Sequence, residues 1–502
     1  MLKCQAILHV LRKIVGLIMS DTQLKETQNS NIRYKAMLVC ILVALCIWFS
    51  PKPEAVPPEG WHLLAIFITT ILALILKPLP MGAVALIAML AAIFTNTLAP
   101  AVVFGAFQDT SVWLVVLALF IAKGFAVTGL GKRIAYFFSY LLGRSSLGLG
   151  YGLITTDLLI APATPSVTGR VAGIVLPILK GIANSYQSFP ASSSSRRIGG
   201  FLTLVAFQGT AVTSSMFLTA MAANPILHQF TQAQGLELSW GKWALAGIVP
   251  GLINLALIPL VIYWLYPPEI KYTPDAPMVA KEQLKLLGKV HRQEWIMIFT
   301  ILLLLVAWIF GAKIQTITGI PLTAVVAGLM GVCILLLTGV LNWQTLIAMD
   351  SVWDTFVWFC VLMMLAGNLN TLGVVGWFSQ FVGNQFGGLN WQIAFPILAL
   401  IYFYSHYFFA SSTAHVTSLF TPFLALAISL QTPPMLAALV LIFFSNLYGG
   451  ITHYSLTPAP ILYGEGYVDI KDWWRVGFIV SVLNIVVWST IGVLWWKFLG
   501  FW

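Results

Sequence analysis

The stretch APATPSVTGR at residues 161–170 decides how the chain is read, because YFFASSTAHV at 407–416 repeats its design. With Ser166 laid on Ser411 the offset is 411 − 166 = 245, and Thr168 then falls on Thr413 and Pro177 on Pro422. Upstream, VWLVVLALF from Val112 falls on VWFCVLMML from Val357 without a gap. Two remote segments in one register indicate an internal duplication. Each motif sets small hydroxyl residues beside Pro or Ala inside an apolar run. Hydrocarbon cannot satisfy a bare backbone, so such an interruption at membrane depth is expected only where it lines a cavity. Paired interruptions in two repeats mark a substrate site between them.

The surrounding composition is that of a membrane protein. Of 502 residues 59% are hydrophobic and 8% charged, where a soluble domain carries roughly a quarter charged residues. The net charge of +10 is spread over loops, which fits cytoplasmic loops under the positive-inside bias and gives no basic patch for nucleic acid. The cysteines, Cys4, Cys40, Cys46, Cys333 and Cys360, form no C-x-x-C pair. Neither a disulfide framework nor a zinc site is expected, and no metal ligand set is read.

Working outward, residues 1–19 mix Lys3, Arg12 and Lys13 with apolar residues, and two readings stand: an interfacial helix, or an extension ahead of a start at Met19. Polar residues continue to 35. Spans are expected near 36–50, 61–77, 82–98 and 111–130. Lys132, Arg133 and Arg144 then place the fourth span's end in the cytoplasm. The segment 147–182, broken by PATPSVTG, reads as a re-entrant hairpin rather than one span kinked by Pro. The next span, 198–226, contains FQGTAVTSS at 207–215 and is expected to unwind there; another follows at 243–266. The stretch 267–294 carries Lys271, Lys281, Lys285, Lys289 and Arg292 and reads as a cytoplasmic linker with an amphipathic helix. The plan then repeats, with spans near 295–310, 321–340 and 353–373, a second hairpin near 391–430, a broken span at 435–462 containing YGGITHYSLTPAP, and a last span from Trp473 to Trp496. The count is about eleven spans plus two hairpins. The copies opening at Ser111 and Trp353 start on opposite sides, so the repeats, 111–266 and 353–502, are inverted. That is the architecture of a secondary transporter.

Each hairpin places a helix N-terminus just after its motif, at Gly169 and Ala414. Free backbone N–H groups and the positive end of the helix dipole would face the gap. Ser166, Thr168, Ser411, Ser412 and Thr413 add hydroxyl donors, so the two tips suit a molecule anionic at both ends, with no Lys or Arg required. Arg170 and His415 correspond at the same offset. They are candidate cationic contacts, or, for Arg170, a partner of Asp157. His415 is also a candidate proton site; His406 and His453 read as packing. From the broken spans Thr213, Ser214 and Ser215 on one side and Thr452, Thr457 and Pro458 on the other would flank the cavity. Thr164 and Val167 complete the candidate set.

These motifs resemble the divalent-anion/sodium symporter family from about residue 36 to the end. TPSVTGR resembles its TPSNTAR form, FASSTAH its FASQTAH form, and THYSLTPAP with YGEGYVD the stretch after its second hairpin. The details are similar to the branch of bacterial citrate/succinate antiporters and the plastid 2-oxoglutarate/malate translocator. The resemblance implies an all-α polytopic fold and a homodimer. Fixed scaffold helices (36–110 and 295–352) would flank a transport domain that moves as an elevator. It also implies that Ser166, Thr168, Ser411, Ser412 and Thr413 bind substrate carboxylates. Sodium sites of the symporting members use loop carbonyls and the motif Asn. Here Val167 and Ser412 stand at those positions, so sodium is not expected as a firm requirement and no other cofactor is read.

The expected function is exchange of di- or tricarboxylates of the 2-oxoglutarate, malate, succinate or citrate type, with membrane lipid as the other partner. The alternative keeps the substrate and couples it to sodium or protons. A remoter reading, an intramembrane hydrolase pairing Ser411 or Ser455 with His415 or His453, lacks a G-x-S-x-G or H-E-x-x-H motif. No filter repeat points to a channel. No Ser/Arg-rich transit segment precedes the first span, which favours a bacterial inner membrane.

Overall fold

The structure is a computed structural model that describes residues 33–383, 390–409 and 411–502. The readings of residues 1–19 and Ala410 of the second motif lie outside the described residues. After α1 (Tyr34–Trp48), the first half runs α2 (Pro58–Leu76), α3 (Met81–Phe94), short α4 (Pro100–Gly105), α5 (Thr110–Thr128) and α6 (Leu130–Leu142). It continues as α7 (Ser146–Ile160), α8 (Val167–Ser185), α9 (Gly199–Met216), α10 (Asn224–Ala233) and α11 (Trp240–Leu265). A linker helix, α12 (Ala276–Leu286), follows where the basic stretch predicts one. The second half has α13 (Arg292–Thr318), α14 (Ala324–Leu337), short α15 (Trp343–Ile347), α16 (Asp350–Thr371) and α17 (Val374–Gly383). It closes with α18 (Trp391–Ser405), α19 (Ser412–Ser429), α20 (Pro434–Leu447), α21 (Ala459–Gly464) and α22 (Ile470–Phe498). The succession from α2 recurs from α13, so the likeness of the halves takes in helices ahead of 111 and 353.

Nine helices among the described residues are long and apolar enough to cross a membrane. Apart from an isolated Ser145–Tyr272 bridge, the described residues hold no β-structure. The chain is an all-α, multi-pass membrane protein. Burial sorts the helices. Every residue of α9 is buried, and so is Leu436 through Leu447 of α20; the two pack against each other at the centre. On α13, by contrast, Phe299, Leu302, Val306, Ile309 and Phe310 are exposed. A row of exposed large apolar side chains on a long helix is a surface for lipid, since water would penalise it.

Both interrupted segments double back on themselves as hairpins. Ser146, which opens α7, donates from its N–H to Lys271 O (3.0 Å) and from its Oγ to Ile270 O. At the other end, Ala276 N donates to the hydroxyl of Tyr186, just past α8 (3.0 Å). The two feet of the first hairpin therefore meet the same few residues of the linker, which a single kinked span could not do. In the second, the ring of Tyr402 on α18 lies 5.2 Å from that of Phe423 on α19. Twenty-one residues of straight helix would separate them by about 30 Å at 1.5 Å per residue, so the chain has doubled back.

The break in the first long span differs from its expectation. Residues 207–215 are helical, and α9 runs intact to Met216; the irregular segment is 217–223. The small and hydroxyl residues serve packing instead. A Cβ on Gly209 would sit 2.3 Å from Cγ2 of Ile154 on α7, so the glycine permits close helix contact. Ser215 donates back to Val212 O (2.7 Å), satisfying its hydroxyl within the helix, and Thr213 turns its hydroxyl to Asp157 of α7. The helix ends because Asn224 Nδ2 takes the carbonyls of Ser214 and Phe217, both at 2.9 Å, while Pro225 opens α10. The second broken span interrupts where expected, with residues 451–458 between α20 and its short extension and α21.

Candidate functional site

Each tip is a serine-capped helix start. Ser166, in an extended conformation, accepts from Gly169 N at 3.0 Å and opens α8; Ser411 accepts from Ala414 N at 3.4 Å and opens α19. The one-turn helices before them, 161–163 and 406–408, also hold the offset of 245 residues. First-turn amides have no helical acceptor, so the N–H groups of residues 167, 168, 412 and 413 remain to serve the space ahead.

That space is a cavity of about 380 Å³. One side is Pro165, Ser166, Val167 and Thr168; facing them are Ser411, Ser412, Thr413 and Ala414. The two irregular segments contribute next, with Met221, Ala222 and Ala223 from the first and Ser455, Leu456, Thr457 and Pro458 from the second. Ser214 and Asn446 come from the ends of α9 and α20. The remaining wall is Leu119, a face of α16 (Thr355, Trp358, Leu362) and the turn between α2 and α3, with Lys77 and Met81. No carboxylate lines it, and Lys77 is its one charged side chain among the described residues. Hydroxyls, two helix N-termini and an apolar floor make a receptacle for an anion bound by neutral donors.

Of the residues singled out from the sequence, Ser166, Val167, Thr168, Ser214, Ser411, Ser412, Thr413, Thr457 and Pro458 line this cavity. Thr164, Arg170, Thr213, His415 and Thr452 lie behind it. Arg170 is fully buried and turned away, its Nε donating to Asp157 Oδ1 at 2.8 Å. Its Nη1 donates to Thr164 O and Ala220 O (both 2.6 Å) and its Nη2 to Ser214 Oγ (2.8 Å). Thr210 Oγ1 donates to Asp157 Oδ2 at 2.9 Å, and Thr213 Oγ1 to the same oxygen. Of the two readings of Arg170, the pairing with Asp157 is the one the structure contains. The guanidinium straps the first hairpin to α9 and to the irregular segment beyond it, so as a direct cationic contact Arg170 is corrected to a support.

His415 is likewise behind its tip, buried, with Nε2 at 2.9 Å from Ser405 Oγ. Its ring meets Tyr402 (4.7 Å between centroids), Tyr448 (4.9 Å) and His406 (5.4 Å). His406 stacks on Tyr448 at 3.8 Å, and its Nε2 meets Ser455 O at 2.8 Å. Thr452 is buried, its carbonyl accepting from Ser455 Oγ at 2.9 Å. Ser215 keeps its hydroxyl on Val212 O and its carbonyl on Trp243 Nε1 (2.9 Å). The Ser–His pairs a hydrolase would use are not formed: Ser411 Oγ caps its helix, Ser455 Oγ donates to Gly449 O and Thr452 O, and His415 meets Ser405. Lys77, Thr355, Trp358 and Asn446 were not singled out from the sequence. Thr355, Trp358 and Leu362 stand at i, i+3 and i+7, a single helical stripe, and Asn446 is an amide inside an apolar helix; both signals were present.

A family profile described as "Sodium:sulfate symporter transmembrane region" matches residues 31–502. The chain belongs to that family. Within the sodium:sulfate symporter family it is similar to Dicarboxylate transporter 1, chloroplastic, of Spinacia oleracea, at 47% identity, covering 96% of this chain and 84% of that protein. It is also similar to the Citrate/succinate antiporter of Escherichia coli (strain K12), at 33% identity over 93% of this chain and 98% of that one. Among solved structures, the YdaH transporter of Alcanivorax borkumensis superposes with a TM-score of 0.57, covering 88% of this chain and 99% of that one. At 15% identity that likeness speaks for the fold alone.

Proposed function

We propose that this chain is a secondary carrier that exchanges di- or tricarboxylates of the 2-oxoglutarate, malate, succinate or citrate type across a membrane. The observation that carries the reading is the pair of serine-capped helix starts facing one cavity without a carboxylate. Ser166 and Thr168 take one carboxylate, Ser411, Ser412 and Thr413 the other, and Thr457 and Pro458 contact the chain between them. A hydrogen bond from hydroxyl or amide to a charged group contributes about 1.5–3 kcal/mol, so a few at each end hold a dianion. The names of the relatives support the substrate class.

Exchange is favoured over cation coupling because Val167 and Ser412 stand where the paired Ser-Asn-Thr motifs of the symporting members have asparagine. Valine has no side-chain oxygen for a sodium ion; only backbone is left at that position. Coupling to sodium remains the competing reading, supported by the description of the family itself. We place the carrier in a bacterial inner membrane, working as a homodimer whose transport domain moves as an elevator.

Reconstitution into proteoliposomes tests this. Labelled malate is expected to enter only vesicles preloaded with a dicarboxylate, at a rate indifferent to sodium. Uptake into empty vesicles driven by a sodium gradient overturns exchange. Chemical crosslinking in the membrane tests the dimer.

A further inference from the structure

We infer that Lys77 is the cationic contact through which the cavity prefers doubly charged to singly charged guests. The inference rests on the carboxylate-exchange reading and adds a residue and a selectivity to it. Lys77 is the one charged side chain among the described residues that line the cavity. No ion pair or side-chain hydrogen bond engages its ammonium among the described residues, unlike Arg133, Arg170, Lys180 and Arg475. Lys77 is exposed at the cavity wall, and an ammonium there without a counter-ion is available to a guest.

The backbone supplies an independent observation. Lys77 ends α2 in the left-handed region, at φ 50° and ψ 56°. Its N–H donates to Ala73 O (2.8 Å), and the next residue, Pro78, accepts from Arg33 N (3.0 Å), so the conformation is held from both sides. At such a helix end glycine is the residue without a Cβ penalty. A lysine there carries a small backbone cost that those two hydrogen bonds help to offset, and they fix the point on the cavity wall from which its side chain extends.

The chemistry follows from the division of labour in the cavity. Hydroxyls and amides donate to a carboxylate, but they also donate to the carbonyl of a neutral carboxamide. An ammonium separates the two, since its attraction acts on net charge. The four-carbon stem, rooted between α2 and α3, lets the ammonium follow the guest end nearest that wall. In a partly hydrated cavity one such pair changes affinity by about five-fold.

The test uses the reconstituted full chain exchanging labelled malate, with unlabelled succinate and its monoamide, succinamate, as competitors. Succinate should outcompete succinamate in the wild type, and Lys77→Gly should shrink that preference about five-fold, chiefly by weakening succinate. Glycine suits the left-handed backbone, so this variant keeps its fold, checked by a monodisperse elution profile. Lys77→Arg should keep the preference, and Lys77→Gln should lose it as glycine does. An unchanged succinate-to-succinamate ratio in both Lys77→Gly and Lys77→Gln overturns the inference. So does loss of all exchange that Lys77→Arg fails to restore. Absence of malate exchange in the wild type would instead overturn the carboxylate-exchange reading.

Discussion

The two hairpin tips share a backbone and differ in what stands behind it. Each opens a helix with a serine cap, and each has its next large polar residue four positions on, at Arg170 and His415. Behind the first tip that residue is a guanidinium with its hydrogen bonds spread over Asp157, two carbonyls and Ser214. Behind the second it is an imidazole set among Tyr402, Tyr448, His406 and Phe409, with one hydrogen bond to Ser405. The front of each tip has to meet the same kind of guest, so its cap is constrained. The back has only to fill space and hold the tip; a charged network does so at the first tip, and at the second a ring stack does so with Nδ1 of His415 and of His406 left unbonded among the described residues. Matched positions in two repeats therefore need not have matched duties.

The contrast can be broken most sharply at Arg170. Arg170→Met leaves Asp157 buried without its counter-ion, a change that costs about 3–5 kcal/mol. A steep fall in melting temperature in detergent is expected, partly recovered when Asp157→Leu is added. Intact thermal stability would mean the ion pair is not what fastens the first tip. A smaller effect tests the sameness of the fronts. Ser166→Ala and Ser411→Ala each remove a cap, at about 1 kcal/mol, and each should raise the KM for malate exchange about ten-fold, or ~1.4 kcal/mol. A large effect at one serine and none at the other would show that the tips do not share the guest. Least is expected from His415→Phe, which keeps a ring among rings and gives up one hydrogen bond, about 1 kcal/mol. A loss as large as that of Arg170→Met would erase the difference between the two supports.

Much of this is legible in the amino-acid sequence alone. The offset of 245 residues aligned the caps because both depend on local chemistry, a serine accepting from the amide three residues on. The hairpins were legible from hydroxyls and proline inside apolar runs too short to cross twice. The facing of Arg170 was legible only as one of two readings, because the choice depends on Asp157 lying thirteen residues back and on Ser214 forty-four ahead, contacts that only the folded hairpin makes. The unwinding was misplaced at 207–215 because glycine and threonine also mark close helix packing, as Gly209 does against Ile154. The better signal was Asn224–Pro225, since an amide can close one helix and proline can open the next. Lys77 went unnoticed for a related reason. A lysine after an apolar run reads as an anchor in the headgroups, and only the packing of α2 against its neighbours makes it a wall of the cavity.

Asn446 Nδ2 donates to Asn224 Oδ1 at 2.9 Å, and that same Asn224 closes α9. The knot belongs to both copies at once, tying the spot where one span gives out to the spot where its twin does. That bond contributes about 1 kcal/mol to keeping the two ends in register, so the pair acts as a common keel for both breaks.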